Sequence, residues 1–145
     1  MLAWIVRFCR YRSPVVLAAA MAQAILLWAP AQADDLADFH AAVEQALDQY
    51  HFALATLESS SQERTAAEVS RLRQTWQTIA DRFGPQRPAA FADDDDYGGM
   101  FLQIDVRLVG VLLVIDLGNR DAARSALAPV EETLTRLAAR SAPPR

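Results

Sequence analysis

An all-α fold, a four-helix bundle of the up-down type with a long loop between its second and third helices, is what this chain predicts behind a cleaved N-terminal signal peptide. Apolar residues recur at alternating spacings of three and four along four separate segments, the stripe that amphipathic helices bury against one another. No segment shows the strict apolar and polar alternation of a half-buried strand. Clusters of serine, glycine and proline punctuate the four stripes where turns are needed.

The leader comes first. Arg7, Arg10 and Arg12 form a positive head, Pro14 to Trp28 is an apolar run broken only by Gln23, and Ala31-Gln32-Ala33 sets small residues at −3 and −1 of a cut before Asp34. The run is about fifteen residues, against the roughly twenty that span a bilayer, which favours removal over anchoring. The chain is therefore read as a signal peptide over 1–33, a bundle over 34–140 and a frayed tail over 141–145, with export to the periplasm or beyond. The only cysteine, Cys9, lies in the segment to be removed. The mature chain then has no disulfide, no thiolate metal site and no cysteine nucleophile.

Helix one is expected from Asp34 to Glu58, with the stripe Leu36, Phe39, Val43, Leu47, Tyr50, Leu54 and Leu57. Asp34, Asp35 and Asp38 crowd its start, where the helix dipole favours negative charge. The run Ser59 to Ser61 ends it, and Ser60 with Glu63 has the spacing of a capping box that opens helix two. The second stripe is Val69, Leu72, Trp76, Ile79 and Phe83, closed by Gly84 as a left-handed C-terminal glycine before Pro85. Residues 84 to 99 then read as a long crossover loop, from Pro85, Pro88, the run Asp93 to Asp96, and Gly98-Gly99.

Helix three, from about Gly99 to Asp116, is the least polar element. At about 100° per residue its apolar side chains cover well over half the circumference, so it is either buried on nearly all sides or meets a partner. Val106, Val109, Leu113 and Leu117 are the candidate interface residues. Gly118-Asn119 closes the helix. Asp121 is expected to cap helix four, whose core positions are Ala123, Leu127, Val130, Leu134 and Leu137; Pro129 should bend it or split it in two.

From Asp34 onward eleven arginines face eighteen acidic side chains, a formal charge of −7. Such a surface repels nucleic acid and anionic lipid, which argues against a nucleic-acid partner and against stable membrane insertion of the mature chain. No G-x-S-x-G, no phosphate-binding glycine loop, no H-E-x-x-H and no C-x-x-C-H occurs, so no enzymatic site is legible.

Metal chemistry has scattered candidates. His40 and His51 lie along one flank of helix one, about 16 Å apart at 1.5 Å per residue, too far to share an ion. Asp48 precedes His51 at the i, i+3 spacing of carboxylate and histidine ligands in metal-binding bundles, though only one copy of that spacing is present. Asp105 and Asp116 fall in the apolar arc of helix three and call for partners among Arg71, Arg73, Arg124, Arg136 and the histidines. Parallel first and third helices would allow two His–Asp pairs at matching levels. Asp94, Asp96, Gly99 and Asp105 echo a calcium loop imperfectly, because Gly98 stands at its fifth position and no glutamate at its twelfth. Met100 is a candidate soft ligand for reduced copper.

The expected function is protein binding or self-association as a homodimer, without catalysis and without a cofactor. The alternative is the handling of a copper, iron or zinc ion through His40, Asp48, His51, Asp105 and Asp116.

Overall fold

Four α-helices follow one another in the computed structural model: α1 (Val15–Ser59), α2 (Gln62–Phe83), α3 (Tyr97–Asp116) and α4 (Arg120–Ser141), with a single 3-10 turn at Ala89–Phe91. The structure describes the backbone of residues 15–143 and the side chains of residues 35–143; among them there is no strand. The chain divides into two units, Met1–Ala33 and Asp34–Arg145. The second is described below, and the side chains of the segment expected to be a signal peptide lie outside the described residues.

Cross-links between the helices define the topology. Asp38 pairs with Arg82 at one end of the α1–α2 contact, and the Thr65 hydroxyl lies 3.3 Å from the Thr56 carbonyl oxygen at the other, so the two helices are antiparallel. Trp76 Nε1 donates to the Phe101 carbonyl at 3.0 Å and Gln62 to that of Asp116 at 2.9 Å, which makes α2 and α3 antiparallel as well. His40 with Ser141 and Glu58 with Arg124 do the same for α1 and α4. α3 packs on α2 and on α4. Each helix thus neighbours the ones before and after it, and α1 and α3 run parallel on opposite corners, the up-down-up-down arrangement.

The core is built as the stripes require. All five expected positions of α2 and all five of α4 are buried, as are Phe39, Val43, Tyr50 and Leu57 of α1. On α1 the innermost line also takes Ala46 and Ala53, while Leu47 and Leu54 pack beside the core. The buried polar side chains are satisfied locally: Thr56, Thr65, Thr133 and Ser141 each donate to the carbonyl four residues back, at 2.8 to 3.0 Å.

Several helix ends depart from expectation. α1 does not begin at Asp34, and Asp38 serves as the ion-pair partner of Arg82 instead of capping a first turn. Ser60 still gives its N–H to the Thr56 carbonyl and so belongs to the end of α1. The cap of α2 is Ser61, which accepts from the Arg64 N–H at 3.3 Å. Gly84 is right-handed, at φ −62°. A residue before proline is disfavoured there because its Cβ meets the ring; glycine has none, and a Cβ at this position would also run into the Ala80 carbonyl oxygen. The left-handed cap lies at Gly118, φ +73°, whose N–H bonds the Ile115 carbonyl while that of Asn119 bonds Val114.

α4 is one helix, not two pieces, despite Pro129. Its cap is Asn119, which accepts from the Ala122 N–H at 3.0 Å, and Asp121 sits within the first turn. Pro129 leaves the Ser125 carbonyl without its helical donor, and Ser125 is exposed, so water can take that place. Nor does fraying begin at Ser141. That side chain is buried at the last turn, where its hydroxyl donates to Leu137 and its oxygen lies 3.1 Å from His40 Nδ1.

The loop from Gly84 to Asp96 is a cap on the end of the bundle, not an open crossover. Phe91 and Tyr97 are fully buried and join Phe39, Phe83, Phe101 and Trp76 in one aromatic cluster, with centroids of successive rings 5.0 to 5.4 Å apart. Three guanidiniums close over its rim: Arg82 on Phe83, Arg87 on Tyr97 and Arg140 on Phe91. The Tyr97 hydroxyl donates to the Phe83 carbonyl, and burial pushes its pKa upward. Arg87 reaches the Ala92 and Asp94 carbonyls, while Asp94 takes Arg140.

Candidate functional site on the outer face of α3

α3 has two apolar faces. Tyr97, Phe101, Ile104, Leu108, Val111 and Ile115 point into the bundle and are buried. On the opposite side Leu102, Val106, Val109, Leu113 and Leu117 are 66%, 59%, 36%, 63% and 83% exposed. Those five account for all but one of the large apolar side chains exposed among the described residues; the other is Phe52 of α1. Their spacing of four, three, four and four keeps them on one stripe running the length of the helix.

Scattered exposed leucines are ordinary, but a continuous apolar stripe along a whole helix marks an interaction surface. Double-sidedness also explains why Tyr97–Asp116 is long and apolar enough to cross a membrane by length and composition. Its inner arc is committed to α2 and α4.

Gly110 stands in the middle of the stripe in helical conformation, and a Cβ added there would meet nothing within 4 Å. Glycine inside a helix costs about 0.5–1 kcal/mol relative to alanine. The chain's own packing gives no reason for it. A residue without a side chain at the centre of an outward stripe lets another backbone approach closely.

The stripe contains the four interface candidates read from the sequence and one that was missed, Leu102. It lies four residues before Val106 and so satisfied the same periodicity, but it falls ahead of the dense apolar block that drew attention to this helix.

The candidate metal ligands are dispersed. His40 and His51 both face α4: His40 Nδ1 lies 3.1 Å from the Ser141 hydroxyl oxygen, and His51 Nε2 lies 3.9 Å from Glu131. Asp105 faces α2, where Arg73 grips it through Nε at 2.8 Å and Nη2 at 3.4 Å, and Gln77 adds a contact at 3.4 Å. Parallel α1 and α3 therefore yield no His–Asp pairs, because helices on opposite corners share no flank. Asp48 and Asp116 are exposed, the latter at the edge of the outer stripe.

Among the described residues no three histidine, cysteine, aspartate or glutamate side chains converge on a common point. Met100 is buried in the core. The acidic loop does not gather as a calcium site: Asp94 is occupied by Arg140 and by the Asp96 N–H, and Asp105 lies two turns away on Arg73. The hydrogen bond from Arg140 is the main reason the Asp94 carboxyl titrates below its usual range.

Sequence reading placed Tyr50 on the apolar stripe of helix one but did not pair it with Glu131, which it meets between α1 and α4. The Tyr50 hydroxyl donates to Glu131 Oε2 at 3.1 Å, and burial, reinforced by that carboxylate, pushes the phenol up to about 12. A phenol held protonated beside an exposed carboxylate is a tie between helices. A shallow cleft of about 270 Å³ at the far end of the bundle is lined by Leu57, Gln62, Thr65, Ile115, Gly118 and Arg120. Its one charged group, Arg120, donates to the Ser60 carbonyl at 2.7 Å. Compared with known proteins, the chain matches no family model, no curated protein and no solved structure.

Proposed function

We propose that this protein is an exported, non-enzymatic helical bundle that works by binding protein, through the outer face of α3. The observation that carries this reading is the stripe Leu102, Val106, Val109, Leu113 and Leu117, five large apolar side chains left in water by a fold that buries the apolar stripes of its other helices. Leaving such a stripe exposed forfeits about 1.5–3 kcal/mol for each Val or Leu that a partner would otherwise bury.

Export rests on the arginine head, the short apolar run and the Ala31-Gln32-Ala33 cleavage pattern. Action in solution, without stable membrane insertion, is supported by the net acidity from Asp34 onward and by Asp105 and Arg107 within α3 itself.

Protein recovered from the periplasm of an expressing bacterium tests the reading in one preparation. Its N-terminus should be Asp34, elemental analysis should find no stoichiometric copper, iron or zinc, and its mass by light scattering should exceed that of the monomer. A cytoplasmic product with its leader intact contradicts export. A strictly monomeric, metal-loaded protein contradicts the binding reading.

A further inference from the structure

We propose that the occupant of the outer α3 face is a second copy of this chain, packed α3 against α3 in antiparallel fashion about a two-fold axis between Val109 and Gly110. The proposal rests on the reading of this face as a docking surface and names its partner. Its warrant is the order of residues on the stripe. From Leu102 the positions are Val106, Val109, Gly110, Leu113 and Leu117, and the intervals four, three, one, three, four read the same from either end.

A two-fold axis makes each residue's partner its mirror position in the series. Leu102 then lies opposite Leu117 of the second copy, Val106 opposite Leu113, and Val109 opposite Gly110. Every large side chain but Val109 meets another large one, and Val109 meets the glycine, whose missing side chain leaves room for it. That supplies the reason for Gly110 that the fold itself lacks, since a Cβ there would touch nothing in its own chain. A face shaped for an unrelated partner has no cause to be symmetric about its own centre.

The flanks agree. In an antiparallel pair each flank of α3 meets the same flank of the other copy. Asp116 then comes level with Gln103 of the second copy, and Asp105 with Val114, so no like charges are set opposite one another. The area is modest. Burying a Val or Leu side chain removes roughly 60–120 Å² of apolar surface from water, so five partly exposed ones supply on the order of 300 Å² per copy. With flanking atoms the total stays near or below the roughly 1,000–1,200 Å² of the smallest specific interfaces, which defines a reversible, concentration-dependent dimer.

Thiol cross-linking of the full chain, with Cys9→Ser as background, reads the geometry directly. Gly110→Cys sits beside the axis and should form a disulfide-linked dimer under mild oxidation. Leu102→Cys and Leu117→Cys should each fail to link alone, because like positions lie about 22 Å apart along the helices. Mixed together, they should link to one another. Linking of Leu102→Cys with itself would mean parallel pairing and overturns the proposal, as does failure of every variant to link.

A second pair of measurements separates this proposal from the reading beneath it. Leu113→Asp, at a position exposed in the single chain, should abolish the dimer in sedimentation equilibrium while leaving the far-ultraviolet helical signal unchanged. If the wild type is monomeric at all concentrations, the second-copy proposal falls while the face stays open to an unlike protein; a monomer that binds phosphatidylglycerol vesicles in a way that Leu113→Asp abolishes overturns the protein-binding reading as well. A dimer that survives Leu113→Asp overturns both.

Discussion

Leu108 and Leu113 lie on the same helix, less than two turns apart, yet one is fully buried and the other is 63% exposed. Nothing in their chemistry separates them. The difference comes from which arc of α3 faces α2 and α4, and a helix that is apolar on both arcs satisfies the bundle with one and leaves the other exposed. Apolar composition therefore states how much surface a helix must bury, and only its neighbours decide how much its own chain buries.

Truncation at the two leucines breaks the comparison most sharply. Leu108→Ala should cost about 2–5 kcal/mol, because the packed core cannot collapse fully into the space left behind. Leu113→Ala should change the stability of the monomer by no more than about 0.5 kcal/mol, as surface substitutions do. Urea unfolding at low protein concentration measures both. Comparable losses at the two sites would mean that the outer arc is covered by the chain itself.

Next in size is the polar edge between the arcs. Asp105→Asn removes a bidentate pair whose two side chains are each about one-third exposed, and the loss should be about 0.5–1 kcal/mol. Thermal melting should fall by a few degrees. Metal content, read by elemental analysis, should not change; a change would make Asp105 a ligand.

Gly110→Ala runs the other way. It should stabilise the monomer by about 0.5–1 kcal/mol, since alanine loses less backbone freedom on forming a helix and meets no neighbour here. The same substitution should weaken association, and that opposition in sign distinguishes a glycine kept for a partner from one kept for the fold.

Two titrations at residues outside the outer arc should leave that arc untouched. Asp94 has its pKa lowered, so its contact with Arg140 contributes stability in full above the ordinary carboxylate value of 3.8 and loses it as the pH falls through the lowered one. Asp94→Asn should flatten that part of the acid-unfolding curve. Tyr50 has its pKa raised from 10.0 to about 12, so its contribution is complete below 10.0 and is lost as the pH rises toward 12. Tyr50→Phe should reduce the alkaline slope, leaving the part that Tyr97 contributes.

Sequence periodicity made the stripes of α2 and α4 legible to the residue, because each pairs one large apolar line with a polar back. α1 was less transparent. Its innermost line uses Ala46 and Ala53, and alanine, equally common on surfaces, carries little signal, so the larger Leu47 and Leu54 stood out although they sit at the flank. Caps were misplaced by one or two residues where several candidates are adjacent, as at Ser59 to Ser61.

The aromatic cap was not legible at all. Phe91 and Tyr97 sit among prolines, aspartates and glycines, and what buries them is the convergence of three helix ends with a loop, a tertiary fact without a local pattern. Most of the site was legible: the apolar excess of α3 and four residues of its outer arc showed in the sequence, while Leu102, ahead of the dense apolar block, did not. Asp105 was legible in part. Arg73 stood among its expected partners, and the side of α3 on which α2 lies selected it over the histidines.

Thiol reactivity at Val106 tests most directly whether the outer arc meets protein in solution. In a Cys9→Ser background, a Val106→Cys chain should react quickly with a maleimide at low protein concentration and progressively more slowly as the concentration rises, while Ser125→Cys, exposed on α4, reacts at one rate throughout. A Val106→Cys rate that does not depend on protein concentration would contradict the account.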